Sequence, residues 1–151
     1  VVTAAHLLSM GTRGTTGERE WAFPEVLRRI NAGRALRSSG QVLSVSGDVA
    51  VLRVARGIRA GTVEIGPPLA AGDEAVILDG TCWPTVQISC TAVASDTVRP
   101  TSRLDRVRPG LSGAPVLDVK GRLAGIVTGT LIGVSGGPLV LISRVEKEEL
   151  R

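Results

Sequence analysis

Three polar residues that lie far apart in the chain have the types needed to make a reactive hydroxyl. Ser112 carries a hydroxyl, which becomes a good nucleophile only when a base removes its proton. His6 is the only histidine, and a neutral imidazole is the usual base near pH 7. Asp48 offers a carboxylate that could fix the imidazole tautomer and stabilise the imidazolium. The three residues therefore predict nucleophilic catalysis if the fold brings them together.

The segment around Ser112 also predicts donors for a developing negative charge. Gly110 and Gly113 flank the serine, and glycine permits φ > 0, which lets successive N–H groups point at one spot. Such donors form the oxyanion hole of acyl-transfer enzymes. Each feature also has a purely structural interpretation. A lone histidine is more often a hydrogen-bonded structural residue than a base. An aspartate just before a strand is usually a turn residue, and a Gly-Leu-Ser-Gly segment is usually a turn. Only the three features together support a catalytic interpretation.

Short β-branched runs separated by turn residues dominate the sequence and must position these groups. Val86, Ile88 and Cys90 alternate with polar residues, which is the period-two pattern of a half-buried strand. Residues 49–54 are almost continuously apolar, which suits a strand buried in a barrel or sandwich. The predicted strands cover residues 42–45, 49–54, 62–65, 75–78, 86–90, 116–119, 123–128 and 139–142. Residues 118–122 contain a glycine between two such runs and predict a hairpin.

Helix signals are confined to two places. Ser143 followed by Glu146 has the spacing of a capping box and predicts a short C-terminal helix over residues 144–151. Residues 24–30 begin with a proline and could form a second helix. Trp21 and Phe23, just before it, alternate like strand residues, so the sequence leaves that region open between helix and strand.

Composition restricts the function classes. The 151 residues are 43% hydrophobic and 21% charged, as in an ordinary globular domain, and no apolar run approaches the roughly 18 residues of a membrane span. Aromatic residues are only 2%, which disfavours nucleic-acid binding through stacked bases. The net charge of +4 comes from scattered arginines, so we expect a solvated surface and no nucleic-acid partner. The sequence has no grouping of Cys and His residues that would indicate a metal site. Cys82 and Cys90 could form one disulfide, and the sequence does not decide whether they do.

Four short segments occur in an order that is known from one enzyme family. Residues 2–6 read Val-Thr-Ala-Ala-His, residues 47–52 read Gly-Asp-Val-Ala-Val-Leu, and residues 110–116 read Gly-Leu-Ser-Gly-Ala-Pro-Val. These segments resemble the histidine, aspartate and serine motifs of trypsin- and chymotrypsin-like serine proteases, and residues 121–129 resemble the strand that follows the serine. Separations of 42 and 64 positions between the three polar residues fit the compact bacterial branch of HtrA-like and glutamyl-endopeptidase-like enzymes. The resemblance covers nearly the whole chain.

This resemblance implies a fold and a reaction. The expected fold is an all-β, chymotrypsin-like double β-barrel that lacks the N-terminal strands of its first barrel and ends in a short helix. Residues 1–60 would be the remainder of the first barrel, and residues 61–151 the second barrel with the helix. The implied reaction is hydrolysis of peptide bonds through an acyl-enzyme, with no cofactor or metal. Ser112 would be the nucleophile, His6 the general acid and base and Asp48 the orienting carboxylate, with the backbone N–H groups of Gly110 and Ser112 as the oxyanion hole.

The resemblance also implies how a polypeptide substrate would bind. Thr128, Gly129 and Thr130 would pair with its backbone as an extra antiparallel strand, and Thr128 keeps a hydroxyl where the family commonly has a serine. Arg106, six residues before Ser112, would line the base of the pocket for the side chain that precedes the scissile bond. An arginine there could favour acidic side chains through charge complementarity. It could also turn out into solvent, which is the interpretation we favour.

Two positions in the serine motif depart from the usual pattern. Leu111 stands where trypsins carry the aspartate that receives the new N-terminal amine, so activation by that ion pair is not expected. Ala114 replaces the second glycine of Ser-Gly-Gly-Pro, and its methyl could either crowd the oxyanion loop or be accommodated. A catalytically inactive protease-like binding or scaffold domain is therefore the alternative function. An Arg-rich β domain that binds polyanions is a third.

The front of the chain departs from the family pattern as well. The first barrel of the family begins some strands before the histidine motif, and a barrel without those strands would leave unpaired edges. We therefore expect a fragment of a longer protein, or completion by the missing N-terminal segment or by neighbouring domains. The excess of Arg over Lys and the abundance of Ala, Gly and Val indicate a bacterial gene of high GC content. Relatives in this branch are often exported, so the resemblance implies an extracytoplasmic or secreted location.

Overall fold

The structure is almost entirely β, as the strand pattern predicts. The computed structural model describes residues 2–7, 26–29, 35–38, 40–54, 62–80 and 84–146. The chain divides into two compact units, Val1–Gly61 and Thr62–Arg151. Within the described ranges, the helical segments are two 3₁₀ turns, Ala5–Leu7 and Leu104–Arg106. None of the helical segments described is long and apolar enough to cross a membrane.

The first unit contains a three-stranded antiparallel sheet and a separate two-stranded hairpin. Its strands are β1 (Val2–Ala4), β2 (Val26–Arg29), β3 (Ala35–Ser38), β4 (Gly40–Ser46) and β5 (Val49–Val54). In the sheet, β5 lies between β1 and β4. Gly47 and Asp48 form the tight turn from β4 to β5, and Gly47 has a φ of +55°, which glycine adopts without steric cost.

The chain forms a strand where the sequence left a choice between helix and strand. Val26–Arg29 pairs antiparallel with Ala35–Ser38, so the possible helix over residues 24–30 is wrong for its described part. The strand depends on hydrogen bonds to Ala35–Ser38, and residues 24–30 by themselves do not show that this partner exists. Trp21 and Phe23 lie outside the described residues.

The second unit is a closed barrel of six antiparallel strands. Its strands are β6 (Glu74–Asp79), β7 (Val86–Ala94), β8 (Thr97–Pro100), β9 (Pro115–Asp118), β10 (Leu123–Leu131) and β11 (Leu139–Ser143). Around the barrel their order is β10, β11, β8, β7, β6 and β9, which returns to β10. Closure gives each strand a neighbour on both sides over part of its length. The second unit thus contains one closed barrel.

The barrel interior consists of aliphatic side chains, as the low aromatic content requires. Ile77, Ile88, Val98 and Val116 are fully buried, and alternate residues of β6 and β7 point inward. On β6 this alternation continues to its last residue, so that Asp79 faces inward with an exposure of 0%. Among the residues that the structure describes, Asp79 is the only buried polar or charged one.

One predicted strand, residues 62–65, is reduced to a single bridge. Ile65 pairs in parallel with Leu123, and the N–H of Gly66 donates to the Leu123 carbonyl at 2.8 Å. Pro67 and Pro68 follow, and prolines lack the N–H groups that a longer ladder needs. The pairing therefore stops there.

The hairpin predicted at residues 118–122 joins β9 to β10. Oδ1 of Asp118 accepts hydrogen bonds from the N–H groups of Lys120 and Arg122, each at 2.9 Å, and Oδ2 accepts one from Nε of Arg122 at 2.8 Å. Burial alone would raise the pKa of Asp118, but these hydrogen bonds and the charge of Arg122 lower it below its usual value. The carboxylate is therefore stabilised in its charged form.

The described part of the predicted C-terminal helix is not helical. Val145 is buried, whereas Arg144 and Glu146 on either side are exposed, which is the alternation of an extended chain. The hydroxyl of Ser143 does not cap a helix, because it donates to Oγ1 of Thr128 at 3.3 Å. Residues 147–151 lie outside the described residues.

The thiol of Cys90 is free and buried in the barrel. Burial raises the pKa of Cys90 to about 12, against a smaller opposing effect of a backbone hydrogen bond at Ile77. Cys82 itself lies outside the described residues.

Candidate active site

Strand pairing in the first unit brings His6 and Asp48 together. β1 and β5 are antiparallel, with Ala4 opposite Val49, so the end of β1 lies beside the start of β5. The next hydrogen bond continues this ladder, from the N–H of Ala5 to the carbonyl of Asp48 at 2.8 Å. His6 follows in the 3₁₀ turn, directly beside the carboxylate of Asp48.

The carboxylate of Asp48 holds His6 at two points. Oδ1 accepts a hydrogen bond from the backbone N–H of His6 at 2.8 Å, and Oδ2 lies 2.7 Å from Nδ1 of the ring. A carboxylate only accepts, so in the neutral ring the proton is on Nδ1 and Nε2 keeps its lone pair. The side chains are 41% exposed for His6 and 35% for Asp48, so the ring is fixed and still accessible. This arrangement presents Nε2 as a base.

Ser112 lies in the second unit, in a turn that enters β9. Leu111 is 1% exposed and anchors the turn in the barrel core, whereas Ser112 is half-buried. Gly110 and Gly113 on either side have φ values of +103° and +86°, a region that only glycine enters readily. The N–H of Gly113 donates to the carbonyl of Val127 at 2.7 Å, which fixes the turn on β10. The glycines predicted from the motif are thus the residues that the turn requires.

The backbone around Ser112 leaves donors available and has room for Ala114. Within the described ranges, the N–H groups of Gly110 and Ser112 take part in none of the turn's hydrogen bonds. Ala114 is half-buried and its side chain packs against the barrel core, while its carbonyl accepts from the N–H of Val127 at 2.9 Å. Of the two predicted possibilities for the extra methyl, accommodation is the one observed.

The predicted substrate-pairing residues lie on the part of β10 that has only one strand neighbour. Gly129 and Thr130 pair with Leu141 and Val140 of β11. On the other side β9 pairs no further along β10 than Ile126. Over the part of the chain that the structure describes, the second edge of residues 128–131 therefore has no strand partner.

Thr128 is the bulged residue at the start of this edge. The register shifts between Val127 and Gly129, so Thr128 has no opposite residue on β11. Its hydroxyl lies 3.5 Å from the carbonyl of Leu141 and accepts from Ser143. The hydroxyl is thus held by β11 within the second unit.

Arg106 does not simply turn out into solvent. It ends the 3₁₀ turn Leu104–Arg106, its side chain is 26% exposed, and its Nη1 lies 3.9 Å from Oδ2 of Asp79. Its Nε also lies 3.7 Å from Oδ2 of Asp105, whose side chain is 69% exposed. Arg106 is therefore compensated by two carboxylates, and the sequence-based preference for a solvent-directed arginine needs correcting on this point.

Asp79 is the residue of this region that the sequence analysis missed. The predicted strand over residues 75–78 ends one position too early, whereas β6 includes Asp79. A period-two extension of Ala75 and Ile77 would have placed the carboxylate on the inward face. A charged residue at an inward position needs a partner, and that requirement was the available signal.

The candidate residues thus fall into two groups. His6 and Asp48 are in contact in the first unit, and the remaining candidates lie in the second: Arg106, Gly110, Ser112, Thr128, Gly129 and Thr130. Among the described residues, no group of three or more His, Cys, Asp and Glu side chains could hold a metal ion.

Comparison with known proteins identifies the fold. No family model matches the chain, and no curated protein sequence does. The MamO protease domain of Magnetospirillum magneticum (apo form) matches with a TM-score of 0.63 and 15% identity, over 95% of this chain and 77% of that one. Deg5 matches with a TM-score of 0.59 and 17% identity, over 85% of this chain and 68% of that one. A serine endoprotease from Yersinia pestis matches at 0.57 and 16%, over 93% of this chain and 48% of that one.

These structures are similar in fold, and their identities are too low to carry function. They are HtrA/Deg-type serine protease domains, and the chain has their trypsin-like fold. The all-β, trypsin-like fold expected from the motif resemblance is confirmed, without a helix over the described residues 144–146.

Proposed function

We propose that the protein is a serine endopeptidase that hydrolyses peptide bonds through an acyl-enzyme. The observation that carries this proposal is the contact of 2.7 Å between Nδ1 of His6 and Oδ2 of Asp48. A surface histidine can be exposed without such a partner, whereas here backbone and ring are both bound by one carboxylate. This is the arrangement that a general base needs for a fixed tautomer.

In the proposed reaction each residue has one task. Nε2 of His6 removes the proton from Oγ of Ser112, which attacks the peptide carbonyl, and Asp48 stabilises the imidazolium that forms. The N–H groups of Gly110 and Ser112 bind the oxyanion of the tetrahedral intermediate. His6 then protonates the leaving amine, and a water molecule activated by the same ring hydrolyses the acyl-enzyme. The reaction requires that the hydroxyl of Ser112 reach Nε2.

The edge of β10 supports binding of an extended polypeptide. Residues 128–131 have backbone groups on one side that no described strand pairs with, and a peptide can add to such an edge as a further strand. Gly129 and Thr130 would supply these backbone hydrogen bonds. Arg106 would lie at the pocket for the side chain before the scissile bond.

A fluorophosphonate probe tests the proposal, because it reacts covalently with an activated serine. We expect labelling of the full chain that is absent in the Ser112→Ala variant. The matched control is Ser135→Ala, since Ser135 lies in an exposed loop of the same unit and its loss leaves the proposed nucleophile in place. Labelling that persists in Ser112→Ala, or no labelling of the folded protein, contradicts the enzyme and favours the inactive binding domain.

A further inference from the structure

A buried carboxylate lies against the arginine that the proposed function places at the substrate pocket. Asp79 ends β6 on its inward face and is 0% exposed, in line with the core residues Ala75 and Ile77. Its Oδ2 lies 3.9 Å from Nη1 of Arg106. The two residues belong to the same unit, and Arg106 lies in the segment that leads to Ser112. The pair therefore connects the barrel interior with the nucleophile's loop.

The burial of Asp79 determines which of the two nearby carboxylates attracts Arg106 more strongly. A charged group inside a protein is tolerated when it is paired, and removing one partner of a buried pair is costly. Attraction between charges is also stronger away from water. Asp105, the other carboxylate near Arg106, has a side-chain exposure of 69%, so water and salt weaken its attraction. Asp79 is therefore the stronger of the two partners.

We propose that Asp79, through its charge at 3.9 Å and not through a hydrogen bond of its Oδ2, cancels the charge of Arg106, so that the substrate site does not select acidic side chains. The inference rests on the proposed function. It replaces both predictions made for Arg106 from the sequence, because the guanidinium is neither a free receptor for a substrate carboxylate nor simply solvated. It also predicts a latent specificity, since the arginine would attract an acidic side chain if Asp79 lost its charge.

Matched peptides measure this specificity directly. Digestion of β-casein by the full chain, with mass spectrometry of the products, identifies one cleaved bond. Two peptides centred on that bond carry Glu or Gln before it, which differ in charge and hardly in shape. In the wild type we expect kcat/KM for the two to agree within about threefold. In Asp79→Asn we expect the Glu/Gln ratio to rise about tenfold or more, which corresponds to about 1.4 kcal/mol.

Two further variants separate charge from general disturbance. Asp105→Asn removes the exposed partner of the same arginine, and we expect its Glu/Gln ratio to stay within about threefold of wild type. Asp79→Asn combined with Arg106→Gln should restore the wild-type ratio, because the arginine is the source of the new preference. A loss of stability alone would lower both rate constants and leave the ratio unchanged.

Several results would overturn the inference. A wild-type preference for Glu of about tenfold or more would show that Arg106 is available to substrate. A folded Asp79→Asn protein with an unchanged ratio would show that Asp79 does not control it. If Asp79→Asn does not fold, Arg106→Gln decides: an unchanged ratio supports charge cancellation, and a tenfold fall contradicts it. Absence of Ser112-dependent cleavage overturns the proposed function and this inference together, whereas Ser112-dependent cleavage with the wrong ratios overturns this inference alone.

Discussion

Replacing Asp48 with asparagine tests the contact on which the proposed reaction depends. The two oxygens of Asp48 accept from the N–H and from Nδ1 of His6, at 2.8 and 2.7 Å. Asparagine has one oxygen and one NH₂ group, so it can accept only one of these hydrogen bonds. If the oxygen keeps the backbone N–H, the NH₂ group faces Nδ1 and needs it as an acceptor. The ring proton then moves to Nε2.

The size of the effect follows from this change of tautomer. A ring protonated on Nε2 cannot remove the proton of Ser112, and a wrong tautomer of this kind lowers kcat about 10⁴-fold in serine proteases. The opposite amide orientation sets NH₂ against the backbone N–H, and loss of a hydrogen bond to a charged acceptor costs about 1.5–3 kcal/mol. Asp48 is partly exposed, which puts the cost of that orientation at the lower end. Either orientation leaves the variant with a weaker base.

Nitrogen NMR of the imidazole provides the assay, because His6 is the only histidine and its two ring nitrogens give unambiguous signals. In the neutral ring we expect the proton on Nδ1 in the wild type and on Nε2 in Asp48→Asn. Casein cleavage should fall about 10⁴-fold in parallel. Asp73→Asn is the control, since Asp73 also accepts a backbone N–H, from Ala70 at 2.8 Å, without contacting a ring. An unchanged tautomer, or cleavage by Asp48→Asn within about tenfold of wild type, would refute the reasoning.

Two further predictions concern stability. A Cβ on Gly125 would lie 2.8 Å from the carbonyl oxygen of Ser143, so Gly125→Ala should lower the free energy of unfolding in urea by about 1–3 kcal/mol. Gly129→Ala, with its nearest contact at 3.5 Å, should change it by less than about 0.5 kcal/mol, and equal losses would contradict the geometry. Asp118→Asn should lower the free energy of unfolding by about 1.5–3 kcal/mol near pH 7, because it weakens the hydrogen bonds to the carboxylate. Because the folded pKa is lowered, this stabilisation is present above the unfolded pKa and should be lost as pH falls through the folded one; a difference from wild type that does not diminish as the pH falls would contradict the role of the Arg122 hydrogen bonds.

The parts of the fold that the sequence predicts well are those with a local signal. Residues 49–54 form β5 with the predicted bounds, because their apolar run and the Gly47 turn are both readable without knowledge of the partner strand. The turn around Ser112 also has a local signal, because its positive φ angles occur at glycines, the residue type that adopts them readily. The hairpin at residues 118–122 also forms, because Asp118 can bind the backbone of its own turn.

The parts that the sequence does not predict depend on distant partners. Val26–Arg29 becomes a strand because Ala35–Ser38 pairs with it, and a short segment does not reveal such a partner. The contact between Asp79 and Arg106 requires closure of the barrel, which brings the end of β6 close to the 3₁₀ turn. Composition shows that both charges exist and cannot show that one is buried. The same reasoning explains why neither sequence-based prediction for Arg106 described its surroundings.

The candidate site is held by two separate sets of backbone interactions, and this makes its halves testable separately. His6 and Asp48 are positioned by the pairing of β1 with β5, which lies entirely in the first unit. The turn around Ser112 is positioned by Leu111 in the barrel core and by the hydrogen bond from the Gly113 N–H to β10. The tautomer of His6 therefore reports on the first set alone, whereas fluorophosphonate labelling requires both. A protein with the predicted tautomer and no labelling would have an intact contact between His6 and Asp48 and no activated serine, so the two measurements distinguish the two sets.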